Sequence, residues 1–283
     1  MQIIKTVAAM NGYIREAIQS GKCIGYVPTM GYLHDGHLSL IKEARKNNDI
    51  VVVSIFVNPT QFGPNEDLDS YPRDLDRDAA LCEVEGADVI FHPTPEEMYP
   101  NGYSTYVETF GEITKKLCGA SREGHFRGVT TVLTKLFNIV RPRNAYFGQK
   151  DAQQVAVVEK MVRELNYDIH IVPCPIVREK DGLAMSSRNS YLQGHEREDA
   201  LVLSQSLELA KQMIADGERS TAVIKQAMCD KINSVESTEI DYVEIVDAQE
   251  LENVETLSGD TLIALAVKVG KPRLIDNVRL EVK

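Results

Sequence analysis

The first chemical signal is the stretch Pro28-Thr29-Met30-Gly31-Tyr32-Leu33-His34-Asp35-Gly36-His37. His34 and His37 are three residues apart, a spacing that brings both imidazoles to one side of a helical turn. The stretch lies between an apolar strand and a helix beginning near Gly36. Unpaired backbone N–H groups and the positive end of the helix dipole suit a phosphate there. Gly36 lets that phosphate approach the main chain closely. Two capping histidines would leave the same trace. The string is neither GxGxxG nor GxxxxGK[ST], which excludes dinucleotide and P-loop readings at this position. A metal is disfavoured, because no third His or Cys follows at a recognisable ligand spacing.

A second constellation, Gly148-Gln149-Lys150-Asp151-Ala152-Gln153-Gln154, also sits at a strand-to-helix turn. Lys150 has the reach for a triphosphate, while Asp151 can cap the helix or accept a ribose hydroxyl. A third is Met185-Ser186-Ser187-Arg188-Asn189. Two hydroxyls and a guanidinium on a loop can clamp a polyphosphate leaving group, or simply make a capped polar loop. Asn58-Pro59-Thr60-Gln61-Phe62 offers neutral amides for hydroxyls and a carboxylate, or an ordinary Asx turn. The string YPRDLDRD over 71–78 offers carboxylates for Mg²⁺, or a charged helix start. The stretch 121–128 (SREGHFRG) could be a basic lid, and Tyr99, Tyr103 and Tyr106 read as packing.

The elements that must hold these residues alternate. Thr6 caps a helix to about residue 20, and a strand at 23–27 precedes a helix at 37–47. The run IVVVSIFV over 50–57 is almost continuously apolar, as in a strand covered on both faces of a parallel sheet. A helix at 74–85, strand at 88–91, helix at 130–140, strand at 145–147, helix at 152–166 and strand at 168–172 complete the rhythm. It predicts an α/β fold with a Rossmann-like doubly wound parallel sheet, whose ligands lie at the strands' carboxyl ends. After Pro173–Pro175 the pattern changes to a polar connector at 178–189 and helices at 196–216 and 221–234. β-like runs at 240–246, 261–269 and 273–278 follow. The expected division is therefore 1–176 and a smaller α+β domain over 177–283.

Composition narrows the class. Of 283 residues 43% are hydrophobic and 26% charged, ordinary globular values that exclude wholesale disorder. No apolar run approaches the roughly 18 to 20 residues of a membrane span. The opening MQIIKTVAAMNGYIREAIQS lacks a secretory apolar region. Five scattered cysteines without a CxxC pair fit buried thiols in a reducing cytosol. A cytoplasmic protein without a membrane partner is expected. The net charge of −11 disfavours nucleic acid. Residues 115–150 nevertheless carry +7 against −18 for the remainder, a basic island suited to a small anionic ligand or to a solvated face.

PTMGYLHDGH, FVNPTQF, YPRDLDRD, GHFRGV, YFGQKDAQQ and VREKDGLAMSSRN follow one another in this order. In this the chain closely resembles the pantoate–β-alanine ligases of the HxGH nucleotidyltransferase superfamily, over nearly its whole length. The resemblance implies ATP-dependent joining of pantoate to β-alanine through an enzyme-bound pantoyl adenylate. It also implies Mg²⁺, a homodimer and a cytoplasmic setting. Carried over by motif, His34 and His37 would face the ATP phosphates, with Met30 and Gly36 in the nucleotide pocket. Gly148, Lys150, Asp151 and Val177 would contact the nucleotide, and Met185, Ser186, Ser187 and Arg188 would close over its phosphates. Gln61 and Gln154 would hold pantoate, with Gln61 also bordering β-alanine and Asn58 nearby. Asp78 and Asp76 are the Mg²⁺ candidates, although Arg77 interrupts that acidic cluster.

Joining a carboxylate to an amine in water is uphill, so the carboxylate needs activation, and adenylation makes AMP the leaving group. The pantoate carboxylate is already ionised. What the site must supply is positive charge around the α-phosphate and in-line positioning. Lys150, the helix start at Gly36–His37 and the two histidines meet that demand. His37 can also donate a proton to the departing pyrophosphate. A transferase that keeps the nucleotide on its product is the nearest rival, and release of free AMP separates the two. A non-catalytic nucleotide sensor is the rival of another class.

Overall fold

The computed structural model describes every residue of the chain except Asn65. In chain order the regular elements are β1 (Gln2–Ile4), α1 (Val7–Gln19), β2 (Ile24–Thr29), α2 (Asp35–Asn47), β3 (Ile50–Ile55), α3 (Leu75–Val84), β4 (Val89–Phe91) and α4 (Pro95–Met98). Then come α5 (Cys118–Ser121), α6 (His125–Val140), β5 (Asn144–Gly148), α7 (Ala152–Glu164) and β6 (His170–Cys174). The chain ends with α8 (Glu196–Asp199), α9 (Leu201–Ala215), α10 (Thr221–Asn233), β7 (Thr238–Asp247), β8 (Gly259–Val269) and β9 (Arg273–Val282). They form two compact units. Met1–Thr109, Arg122–Gln149 and Val157–Pro175 make the first; Phe110–Ser121, Lys150–Ala156 and Ile176–Lys283 make the second.

In the first unit six strands pair in the order β1-β4-β3-β2-β5-β6, every pairing parallel. This is the doubly wound sheet that the βα rhythm predicts. Val51, Val52 and Val53 of β3 are fully buried, which is why that strand reads as an uninterrupted apolar run. Val51 and Val53 pack with Leu33, Ile41 and Ile90 in one core. The order reverses at β2, flanked by β3 on one side and β5 on the other. The ends of β2 and β5, Thr29 and Gly148, thus face the position where such sheets bind ligands.

Three local differences from expectation have physical causes. Strand β1 is only three residues long, too short to show a period, and is held by pairing with β4. Helix α2 starts at Asp35, because His34 is its N-cap. Helix α6 starts at His125, five residues before the expected 130; Gly124, at φ 74°, turns the chain into it with no side-chain cap to mark the start. The second unit holds an antiparallel sheet β7-β8-β9. Its core joins Leu203 and Leu207 of α9, Ile224 and Met228 of α10, and Ile263, Leu265 and Val267 of β8. The helix expected over 196–216 is divided at Ala200, and β9 runs on to Val282.

Candidate active site

In the first unit the loop leaving β2 is built around tight turns. Gly31 has φ 87°, and a Cβ there would lie 2.9 Å from Ile55 Cγ2 and 3.0 Å from Asp78 Oδ2. That leaves room only for glycine. The carboxylate of Asp78, 1% exposed, accepts the N–H groups of Tyr32 and Leu33, each at 2.7 Å. Arg77 donates to the Leu33 carbonyl at 2.9 Å and lies over the Tyr32 ring at 5.1 Å. Burial raises the Asp78 pKa, outweighing the two amides and Arg77, which pull it down. The acidic string over 71–78 therefore works as a strut for the histidine loop.

The two Mg²⁺ candidates are placed differently. Asp78 has both oxygens committed to the main chain, while Asp76 is exposed on the first turn of α3. Among the described residues no group of three His, Cys, Asp or Glu is arranged to hold a metal ion.

His34 and His37 form a reciprocal cap on α2. His34 Nδ1 accepts the Gly36 N–H at 3.1 Å, and the His34 N–H donates to His37 Nδ1 at 3.3 Å. Their ring centroids are 4.1 Å apart. Both Nδ1 atoms act as acceptors, so the bond network assigns each neutral ring its proton on Nε2. The capping alternative and the phosphate-facing one are therefore compatible, since capping uses one nitrogen and makes the other a donor.

Asn58 and Gln61 lie in the loop after β3. Asn58, 2% exposed, accepts from the Tyr99 hydroxyl at 2.7 Å and the Thr60 hydroxyl at 2.9 Å. Its amide donates to Gln61 Oε1 at 3.0 Å and to the Gly128 carbonyl at 3.2 Å. Asn58 thus orients Gln61, whose Nε2 lies 3.4 Å from Met30 Sδ. Tyr99 does more than pack, since burial pushes its hydroxyl up to about 12 and keeps it a donor.

Helix α6 closes in on the same loop. A Cβ at Gly128 would lie 2.3 Å from the Thr60 carbonyl oxygen and 2.6 Å from Gln61 Cα. His125 Nδ1 lies 2.9 Å from the Gln61 carbonyl, to which it donates, and Arg122 donates to His125 Nε2 at 3.0 Å. Arg122 also holds Glu66 through two bonds of 2.7 Å. From Arg122 onward the stretch expected as a basic lid is the approach to α6 and its first turn, fastened to the 58–66 loop.

The second unit carries the other candidates. Lys150 and Asp151 lie in the single 3₁₀ turn Gln149–Asp151 before α7, and Gln154 is half-buried on its first turn. Gln153, beside it and 6% exposed, donates to the Ile113 and Lys116 carbonyls at 2.9 and 2.7 Å. It also accepts the Cys118 N–H at 2.9 Å, tying α7 to the segment before α5. The connector is a small hairpin: Arg178 bridges Ala184, the Glu179 N–H donates to Leu183, and the Met185 N–H donates to the Val177 carbonyl at 3.0 Å. Ser186 caps the turn Ser187–Tyr191, its hydroxyl accepting the Arg188 N–H at 3.2 Å. Ser187 is 8% exposed.

The structure thus pairs His34 with His37, and Asn58 with Gln61 beside Met30, in the first unit, with Gly36 on α2 and Gly148 at the end of β5. Lys150, Asp151, Gln154, Val177 and Met185 to Arg188 belong to the second. Sequence reasoning missed Tyr99, His125, Gln153 and the pair Asp276-Asn277. Tyr99, His125 and Gln153 fell within stretches already singled out but without these roles, and the last pair left its trace as polar residues interrupting an apolar strand.

A family model for pantoate-beta-alanine ligase matches residues 2–279. The pantothenate synthetase of Acetivibrio thermocellus is 58% identical over 282 residues, covering all of both chains. That of Thermotoga neapolitana is 57% identical over 280 residues, 99% of this chain and all of the relative. Among solved structures, pantothenate synthetase from Thermus thermophilus superposes with a TM-score of 0.94 at 43% identity, covering 98% of this chain and 99% of that one. Pantoate-beta-alanine ligase from Francisella tularensis, solved with beta-gamma ATP and beta-alanine, gives a TM-score of 0.82 at 37% identity, with 98% and 97% covered.

Proposed function

The chain belongs to the pantoate–β-alanine ligase family and forms pantothenate from pantoate and β-alanine, and we propose that it does so in two steps through a pantoyl adenylate made from ATP. ATP as the activating nucleotide is supported by the Francisella relative, which was solved with an ATP species and β-alanine. The observation that carries the two-step scheme is the pair of imidazoles fixed through Nδ1 at the start of α2.

In the first step a pantoate carboxylate oxygen bonds to the α-phosphorus, the bond from that phosphorus to the β-phosphate bridging oxygen breaks, and pyrophosphate leaves. Negative charge gathers on the departing group, where fixed hydrogen-bond donors stabilise the transition state most. His34 and His37 supply Nε2–H donors, and the N-terminus of α2 adds its dipole. Gln61, held by Asn58 and His125, orients pantoate, and from the second unit Gln154 is assigned the same ligand. Met30, Gly36 and Gly148 take the nucleotide. In the second unit Lys150, Asp151 and Val177 are assigned to it as well, and Met185, Ser186, Ser187 and Arg188 to its phosphates. In the second step the β-alanine amine bonds to the pantoyl carbonyl carbon, the acyl–oxygen bond breaks and AMP departs, the ammonium proton passing to water or phosphate. Mg²⁺ would enter as the counter-ion of the ATP phosphates, with Asp76 and Asp78 as its carboxylate candidates.

No helix among the described residues is long and apolar enough to cross a membrane. On the family resemblance we propose a cytoplasmic homodimer acting on small molecules, and sedimentation tests the dimer. Pyrophosphate exchange into ATP tests the mechanism. Exchange should require pantoate, proceed without β-alanine, and give way to AMP release once β-alanine is added. ATP binding without pantoate-dependent exchange would exclude the adenylate.

A further inference from the structure

Asp276 and Asn277 are neighbours in β9, 2% and 4% exposed, although a buried carboxylate and amide in an apolar strand are costly unless partnered. Both are partnered, and by different loops. Asp276 holds Arg178 through two bonds of 2.6 and 2.9 Å, and Arg178 donates in turn to the Gly182 carbonyl at 3.0 Å. This closes the hairpin that leads into Met185 and Ser186. Asn277 Nδ2 donates to the Lys150 carbonyl at 2.8 Å, and its own N–H donates to Asp276 Oδ1 at 2.8 Å. Adjacent strand residues point to opposite faces. One dipeptide therefore holds both the connector and the Lys150 turn.

A second observation links the same two loops. A cavity of about 10 Å³, room for one water molecule, is lined by Lys150, Ser186, Asn189 and Asp276. Asn189 donates to the Ala184 carbonyl and to Glu179, while its buried Oδ1 has no hydrogen-bond donor among the described residues.

We infer that Asp276 and Asn277 are positioning residues for the ATP step, setting the Lys150 turn and the Ser186–Arg188 loop at a fixed spacing through β9. The inference rests on the assignment of those two segments to the nucleotide. It follows from geometry: Lys150 is useful only if its ammonium meets the phosphates within a fraction of an ångström, and a misplacement of about 1 Å costs on the order of 10²-fold in rate.

The test is steady-state kinetics of Asn277→Ala and Asp276→Asn beside Lys150→Ala, with thermal unfolding of each. Both β9 variants should lose about 10²-fold in kcat/KM for ATP, with the KM for pantoate unchanged. A merely structural role would lower Tm and leave the two substrates equally affected. Should either variant fail to fold, Arg178→Met with Asp276→Leu carries the same test, because buried ion pairs are often replaced by apolar pairs without loss of stability. Folded β9 variants with wild-type ATP kinetics, beside a crippled Lys150→Ala, overturn the inference alone. A Lys150→Ala variant with wild-type ATP kinetics overturns the nucleotide assignment and the inference with it.

Discussion

In the proposed scheme His37 is the residue on which the chemistry turns most directly. Its Nδ1 is engaged by the His34 main chain, so its proton sits on Nε2, where it can answer charge that develops only as pyrophosphate departs. His37→Ala should lower kcat by about 10² to 10⁴ with little change in the KM for pantoate, measured by initial rates. A change confined to KM would instead make His37 a ground-state contact. Glu66 belongs to the same scale. Burial opposes its ionisation, yet the hydrogen bonds and charge of Arg122 prevail and hold its carboxyl below the ordinary 4.5. The native state thus favours the carboxylate, so the pair's contribution is present above that ordinary value and is lost as pH falls through the lower native one. Glu66→Gln should flatten the acid side of a Tm-against-pH profile. An unchanged profile would show that Arg122 gives the carboxylate no net stabilisation.

At the scale of elements, the decisive contact is between α6 and the 3₁₀ turn Pro59–Gln61. It exists because Gly128 has no side chain, so the helix backbone approaches Thr60 and Gln61 more closely than any other residue would permit. Gly128→Ala forces those backbones apart. Overpacking of this kind costs about 1 to 3 kcal/mol, and here the movement falls on Gln61. The expected result is a lowered Tm together with a raised KM for pantoate, while ATP kinetics stay near wild type. A Tm loss with wild-type pantoate kinetics would detach Gln61 from that substrate. GHFRGV was legible as a motif, but which of its glycines met which backbone was not. That contact joins residues 67 apart in the chain, 61 and 128, and no local pattern encodes it.

At the scale of the molecule, each unit has a core of its own. Ile41 in the first and Met228 in the second are both fully buried. Ile41→Ala and Met228→Ala should each cost about 2 to 5 kcal/mol in urea unfolding. Because they belong to different core clusters, the double variant should equal the sum within about 0.5 kcal/mol. A clear departure from additivity would mean that the cores are coupled.

The sequence by itself determined whatever is local or periodic. The βα rhythm specified the parallel sheet, because strands buried on both faces must be apolar throughout. The strings around His34, Asn58 and Lys150 marked the strand ends and turns where such a sheet exposes backbone donors, and the string around Ser186 marked a capped turn in the connector. Only the tertiary structure decided what those residues do for one another. Asp78 became a strut by meeting amides 45 and 46 positions away, His125 a donor to the Gln61 carbonyl, and Asn277 a clamp on Lys150 across 127 residues. A hydrogen bond depends on position and direction in space. Sequence specifies these only within a turn or a helix, and the packing of whole elements fixes the rest.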